Sequence, residues 1–289
     1  MAGTGHMRGL PDGRLPDASS GACRMKAVMK YPGSKWSLAK WIIGFFPEHH
    51  SYLEPFFGSG AVLFQKPRSN IETVNDLDDN VVNLFEWIRR DPEKLANEIY
   101  WTPYARQVYE NAFAVVPEDS LGKAVNFYIR LNMGHGFRTN GEKVGWKNDV
   151  QGRERAYASQ DWCHLPDKIM QAAKRLRGVQ IEHRPAVEVI QRFNFPNVLI
   201  YADPPYVLET RHGKQYRCEM DDVDHAELLD MLESHSGRVL ISGYDNSLYN
   251  NRLRDWHREE TICYSQVSSK RREVLWMNFK PERQMSLFD

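Results

Sequence analysis

The sequence predicts an α/β protein: a mostly parallel β-sheet covered by helices on both faces, with a mainly helical insert. Three observations carry this expectation. Short apolar runs of strand length, from Ser51 and at 71–74, 179–182, 198–202 and 238–242, alternate with segments of helical apolar spacing. Between about 91 and 163 the alternation stops, and helical segments follow one another without a strand. Finally, one strand runs into a glycine loop and another into Asp203-Pro204-Pro205-Tyr206, at the strand ends where open α/β sheets hold ligands.

Composition narrows the function classes. A chain of 289 residues can bury a full core, as one large domain or a domain with an insertion. With 38 basic and 38 acidic residues the formal net charge is zero, so any basic surface must be local. The four cysteines, Cys23, Cys163, Cys218 and Cys263, are isolated, which points away from a zinc site or a disulfide framework and fits a reducing cytoplasm. His49-His50 and the lone His135 read as surface or core residues, and no metal is expected. No apolar run reaches the length of a membrane span. Residues 1–26, rich in Gly, Pro, Asp, Arg and Ser without an apolar period, read as a disordered, dispensable leader rather than a signal peptide.

Taken in order, Lys30-Tyr31-Pro32-Gly33-Ser34-Lys35 precedes a helical pattern through Leu38, Trp41, Ile42 and Phe45, where Trp41 and Phe45 are core residues. The stretch Ser51-Tyr52-Leu53-Glu54-Pro55-Phe56-Phe57-Gly58-Ser59-Gly60-Ala61 reads as strand, glycine loop and helix start, a place where backbone N–H groups approach a ligand. It lacks the third glycine of the dinucleotide fingerprint and the Lys-Ser/Thr of a Walker loop. The strand 71–74 ends at Asn75-Asp76, and an acidic residue there can accept hydrogen bonds from both hydroxyls of a ribose. Asp76 takes that role; Asp78 and Asp79 serve the N-terminus of a helix over 80–89.

Helices over 93–100, 105–114 and 121–132 lead to a glycine-studded stretch from Gly134 to Trp146, which reads as a loop or β-hairpin around Asn140-Gly141. From Arg130 to Gln180 there are ten Lys/Arg against five Asp/Glu, either a solvated face or a surface for an anionic partner. A helix over 167–177, with Pro166 near its start and Gly178 past its end, returns the chain to the sheet. After the strand 198–202, two prolines stop the ladder because each lacks an N–H. The tetrapeptide is either an ordinary proline turn or a holder for a planar amine. In the second reading Asp203 and the Pro204 carbonyl accept the two amine hydrogens while Tyr206 stacks on the attached ring. The polar segment 207–220 reads as a lid. A helix over 224–233, the strand 238–242 and two β-rich runs over 261–267 and 273–279 complete the chain's regular elements. The two β-rich runs bracket a basic tip, Ser268-Ser269-Lys270-Arg271-Arg272.

The glycine loop, Asn75-Asp76 and Asp203-Pro204-Pro205-Tyr206, in this order, resemble the S-adenosylmethionine-dependent DNA adenine-N6 methyltransferases of the Dam type, from Lys30 to about Pro281. The resemblance implies a Rossmann-like methyltransferase sheet of seven strands with an antiparallel last strand. It implies a discontinuous catalytic domain over 27–90 and 164–281, with an inserted target-recognition domain over 91–163 standing over the cleft. The implied cofactor is S-adenosylmethionine, held by Tyr31, Lys35, Phe56, Gly58, Gly60, Asp76 and Asp203, with the Lys35 ammonium meeting the cofactor carboxylate. Many members carry Trp at the Tyr31 position. Double-stranded DNA is the implied partner, touched by Arg138, Lys143, Lys147, Arg153, Arg155 and Lys270, with Arg138 first among those that read base edges. His212, Lys214, Tyr216 and Arg217 of the lid are further candidates for DNA. Catalysis falls to Asp203, Pro204 and Tyr206, acting on an adenine flipped out of the duplex, by direct transfer without a metal or a covalent enzyme intermediate. Asp rather than Ser at 203 favours adenine on the family pattern. RNA adenine methylation, cytosine-amine methylation and a non-catalytic DNA-binding relict are the alternatives. The implied enzyme is cytoplasmic and nucleoid-associated. The tail 282–289 holds Gln284-Met285-Ser286-Leu287-Phe288, which resembles the short peptide by which bacterial polymerases and repair proteins hold the sliding clamp. The alternative is that Leu287 and Phe288 fold back on the catalytic domain.

Overall fold

A computed structural model describes residues 25–136, 138–148, 150, 157–211, 213–264 and 270–281. Seven strands form one sheet: β1 (Ser51–Glu54), β2 (Ile71–Asn75), β3 (Val179–Glu182), β4 (Val198–Ala202), β5 (Arg238–Tyr244), β6 (His257–Tyr264) and β7 (Lys270–Met277). Their order across the sheet is β3-β2-β1-β4-β5-β7-β6; the first five are parallel, and β7 lies antiparallel to both of its neighbours. From β1 the chain builds outward to β2 and β3, then returns to lay β4 on the other side. That reversal opens a crevice at the carboxyl ends of β1 and β4.

The unbroken apolar run of β4 is buried on both faces, as a central parallel strand must be. Leu199 and Tyr201 join one core with Tyr52, Val74, Leu240 and Leu275. Val198, Ile200 and Ala202 join the other with Leu53, Val239, Ile241 and Trp276. The first core is covered by α1 (Ala39–Ile43), α2 (Asp79–Arg90), α3 (Pro92–Trp101), α4 (Arg106–Ala114), α5 (Ser120–Met133), α6 (Ala158–Cys163) and α7 (Leu165–Leu176). The second is covered by α8 (Ala186–Arg192), α9 (Asp222–Glu233) and α10 (Ser247–Arg252). Aspartates set the helix starts: Asp78, Asp91 and Asp119 accept first-turn N–H groups of α2, α3 and α5, and Asp221 with Asp224 forms a capping box on α9. The insert helices share the first core, where Leu95, Tyr109 and Phe127 are buried in the same cluster as Tyr52 and Val74, and α3 packs on α7.

Several elements differ from the sequence reading. The glycine loop leads into successive turns over 61–65 rather than a regular helix. The turns close through Phe64 N–H to the Gly60 carbonyl at 3.0 Å and Lys66 N–H to the Val62 carbonyl at 2.9 Å. Pro67 disfavours helical backbone at Lys66, whose ammonium is drawn into a buried ion pair with Glu72 at 2.8 Å. Gly134 and Trp146 are joined by a single antiparallel bridge, and the described residues between them form no strand, so of the two expectations they fit the loop. β6 begins at His257 rather than at Thr261, because an edge strand tolerates the charges of Arg258, Glu259 and Glu260 that hide it from an apolar reading. Arg271 and Arg272 belong to β7 rather than to the tip. The helices α6, α8 and α10, of six or seven residues, are too short for an apolar period to reveal. Among the described residues no helix is long and apolar enough to cross a membrane, and no group of His, Cys, Asp or Glu could hold a metal ion.

Candidate active site

β1 pairs with β2 through Glu54 and Val74 and with β4 through Leu53 and Ile200, so the residues leaving these strands emerge side by side at one edge. There they line one cavity open to solvent. Of the residues singled out in the sequence, Tyr31, Lys35, Phe56, Gly58, Asp76 and Asp203 line it. Gly60 does not: it packs against the rings of Phe57 and Phe64. Pro204 is buried and Tyr206 half-buried, and neither lines the cavity, whereas Pro205 does.

At one end of the cavity the Asp76 carboxylate is held by backbone. Its Oδ2 accepts the Gly58 N–H at 2.8 Å and its Oδ1 the Asp78 N–H at 2.9 Å. Burial pushes this carboxyl up to about 6 against the pull of those two N–H groups. Gly58 has φ +48°, and a Cβ there would stand 3.0 Å from the Tyr31 ring, so the positive φ and the close approach to Tyr31 both favour glycine. Asp78 does more than cap its helix. Its Oδ1 accepts the Asn80 N–H at 2.9 Å, but Oδ2 is buried without a partner in the wall of the cavity. Burial raises its pKa.

At the other end Lys35, only 5% exposed, places Nζ 3.0 Å from Asp203 Oδ1, 3.6 Å from Glu273 Oε1 and 2.7 Å from the Gly33 carbonyl. Burial pulls the ammonium pKa down, yet Asp203 and Glu273 outweigh it and hold the group above its ordinary value. Lys35 thus finds its counter-charges in Asp203 and Glu273, as a buried ammonium must, while still lining the cavity. Ser242 donates to the same Asp203 oxygen at 2.8 Å. The Tyr206 hydroxyl donates to Glu273, its ring meets Tyr244 edge-on at 4.7 Å between centroids, and Lys35 Nζ lies 4.7 Å from the ring centre.

The sequence reading missed two acidic residues. Glu54, 3% exposed, accepts the Tyr52 hydroxyl at 2.5 Å and lines the cavity. Burial pushes its carboxyl up to about 8. A carboxylate ending an otherwise apolar strand, directly before a glycine loop, was a readable signal. Glu273 gave none. It enters the site because β7 runs antiparallel and sets Glu273 opposite Tyr244, at the carboxyl end of β5. Burial raises its pKa as well.

A family model described as D12 class N6 adenine-specific DNA methyltransferase matches residues 31–269. The chain belongs to this family. The modification methylase StsI of Streptococcus sanguinis is 20% identical over 288 residues, covering 89% of this chain, and the chain spans 43% of that protein's length. Among solved structures, a putative methyltransferase yhhF from Escherichia coli is 11% identical with a TM-score of 0.33, covering 90% of this chain and 92% of its own. A SAM-dependent methyltransferase from Agrobacterium tumefaciens is 11% identical with a TM-score of 0.37, covering 84% of this chain and 61% of its own.

The cofactor of a D12-class methyltransferase is S-adenosylmethionine, and the cavity suits it. The orphan oxygen of Asp78 and the Asp76 carboxylate can accept from hydroxyl groups, Gly58 leaves room where a Cβ would stand, and Glu54 offers a buried carboxylate for a cationic group. The residues assigned to DNA are dispersed. Arg138 pairs with Glu142, Lys143 lies 3.8 Å from Glu110, and Lys147 is half-buried with its carbonyl accepting the Tyr104 hydroxyl at 2.5 Å. Arg217 meets Asp78 at 3.4 Å and Asp79 at 3.0 Å. The sequence assignments to Arg153, Arg155, His212, the Lys270 side chain, residues 1–24 of the leader over 1–26 and Gln284 to Phe288 lie outside the described residues, whereas Met25, read as part of that leader, packs against the first core.

Proposed function

We propose that this D12-class protein methylates the exocyclic amine of an adenine flipped out of double-stranded DNA, at specific sequences. The observation that carries the reading is the state of Asp203: Lys35 and Ser242 both fall on Oδ1, so among the described residues Oδ2 keeps its lone pairs for a bound amine. The chemistry that S-adenosylmethionine supplies when bound is a methyl group on a cationic sulfur. Asp76 and Asp78 would accept from its hydroxyl groups, and Glu54 would offer a carboxylate to its ammonium. Asp203 and the carbonyl of Pro204 accept the two hydrogens of the adenine amine. That draws the nitrogen lone pair out of conjugation and stabilises the positive charge developing there. Asp203 then stands ready for the proton that the methylated nitrogen sheds, with Lys35 as its counter-charge until that moment. Tyr206, fixed at its hydroxyl by Glu273 and at its edge by Tyr244, gives the extruded base a rigid ring, which offsets part of the few kcal/mol of unstacking.

The insert supplies phosphate contacts through Arg138, Lys143, Lys147, Arg153 and Arg155, with Lys270 at the far side, and the enzyme works on the DNA of the cytoplasm. The tail from Gln284 to Phe288 docks on the sliding clamp. Deleting 284–289 abolishes clamp binding on this reading; unchanged clamp binding rejects it. The decisive experiment for the activity is long-read sequencing of DNA from cells expressing the wild-type chain and Asp203→Asn. The reading expects N6-methyladenine at one recurrent motif in the first sample alone. Methylated cytosine, or no methylation by a protein that binds the cofactor, refutes it.

A further inference from the structure

We infer that Glu219 is a positioning residue: through Arg211 and the amides of Gln215 and Tyr216 it holds Tyr216 as a wall of the cofactor cavity. The inference rests on the cofactor reading above and adds a residue outside the loop and strand ends that the family resemblance marks. The Glu219 side chain is 13% exposed and accepts the N–H groups of Gln215 at 2.7 Å and Tyr216 at 2.9 Å. Both terminal nitrogens of Arg211 also reach it, Nη1 at 3.1 Å and Nη2 in a direct ion pair. The remaining donor of Arg211, Nε, reaches the carbonyl of Tyr206 at 2.6 Å. One carboxylate thus ties the last residue of the catalytic tetrapeptide to the stretch 213–220, whose described residues form no helix or strand of their own. Arg211 and the two amides outweigh burial and hold the Glu219 carboxyl below its usual range, so it is ionised at neutral pH.

What this arrangement holds is the Tyr216 ring. It lies 6.1 Å from the Tyr31 ring, with the Arg211 guanidinium 5.3 Å from its centre. Its hydroxyl presses on Gly33 so closely that a Cβ there would sit 2.4 Å away, and Gly33 carries φ +67°. Tyr216, Cys218, Glu219 and Met220 together line the cavity. Beyond the hub, the stretch is tied by Thr139 N–H to the Gln215 carbonyl at 2.9 Å, Asn140 Nδ2 to the Lys214 carbonyl at 3.1 Å, Arg217 N–H to Thr139 Oγ1 at 3.1 Å, and the pairs of Arg217 with Asp78 and Asp79, none of which touches the Tyr216 side chain. The planar guanidinium meets both oxygens of Glu219 through Nη1 and Nη2 while Nε keeps the Tyr206 carbonyl, a fixed fork that the point-like ammonium of lysine does not reproduce.

The test is a double-mutant cycle on the full chain, reading the affinity of S-adenosylhomocysteine by calorimetry together with the thermal midpoint. Glu219→Gln and Tyr216→Ala each weaken binding at least tenfold. The double variant binds no worse than the weaker single one, because both remove the same wall. Arg211→Lys, a milder break of the same hub, gives a partial loss and serves should Glu219→Gln not fold. Midpoints stay within a few degrees of wild type. Losses that add, or a Glu219→Gln protein that binds as wild type does, overturn the assignment; so does a lowered midpoint with affinity retained. A wild-type chain that fails to bind the probe overturns the cofactor reading itself, an outcome distinct from wild-type binding with an indifferent variant.

Discussion

Replacing Glu54 by Gln removes a titrating group from the cofactor cavity. Burial holds the Glu54 carboxyl at about 8, so at pH 7 about nine-tenths of the molecules carry a proton there. If the cofactor ammonium binds against an ionised Glu54, binding expels that proton. A pKa near 8 in the free protein that falls well below 7 in the complex makes affinity rise with pH up to about 8 and level off beyond. Each pH unit below 8 weakens binding about tenfold, or about 1.4 kcal/mol. Between pH 6 and 7 the association constant should climb about ninefold. The Glu54→Gln protein has no proton to lose, so its affinity is flat over that interval and lower than wild type at pH 8. Calorimetry at pH 7 in buffers of different ionisation enthalpy counts the protons: about 0.9 released for wild type and near zero for the variant. Folding carries the complementary sign. A carboxyl raised in the native state destabilises it as pH climbs from about 4.5 through 8, and Glu54→Gln abolishes that slope. The Tyr52 hydroxyl keeps an acceptor in the amide oxygen, so the core is undisturbed. Proton release that survives in the variant, or is missing in the wild type, refutes the role given to Glu54.

Three further perturbations separate chemistry, DNA binding and stability. Asp203→Asn preserves the volume and the Ser242 contact but removes the charge. Turnover should fall by about 10²–10³ with cofactor affinity within a few-fold, and more than a tenth of wild-type activity in a single-turnover assay refutes the role. Charge reversal at Arg138 and Lys143 should lower the magnitude of the salt slope of DNA binding by about one per site; an unchanged slope would show that their pairs with Glu142 and Glu110 are all they make. Glu72, on β2 and outside the cavity lining, accepts Lys66 at 2.8 Å and a two-pronged Arg175 at 2.6 and 2.7 Å. Glu72→Ala leaves both cations uncompensated and should cost about 3–5 kcal/mol in urea unfolding; a loss under about 1 kcal/mol contradicts that view of the cluster.

Much of the fold was legible from local pattern. The apolar runs of β1, β2, β4 and β5 needed only a period to be seen, and Asp78 and Asp79 announced the start of α2. Gly58, Asp76 and Asp203 could be assigned to one ligand because strands in a parallel sheet all end at the same edge, and the three line a single cavity. The sequence by itself therefore determined which strand ends come together. Only the tertiary structure decided how their charges are arranged. Lys35 is buried, and the partner of a buried ammonium depends on which carboxylates the fold carries to it, here Asp203 and Glu273 from far along the chain. Glu273 arrives through the antiparallel placement of β7 between β5 and β6, a pairing that no periodicity encodes. The hold of Glu219 on Tyr216 was equally hidden, since an irregular segment has no repeat to read and takes its shape from the hydrogen bonds its neighbours offer.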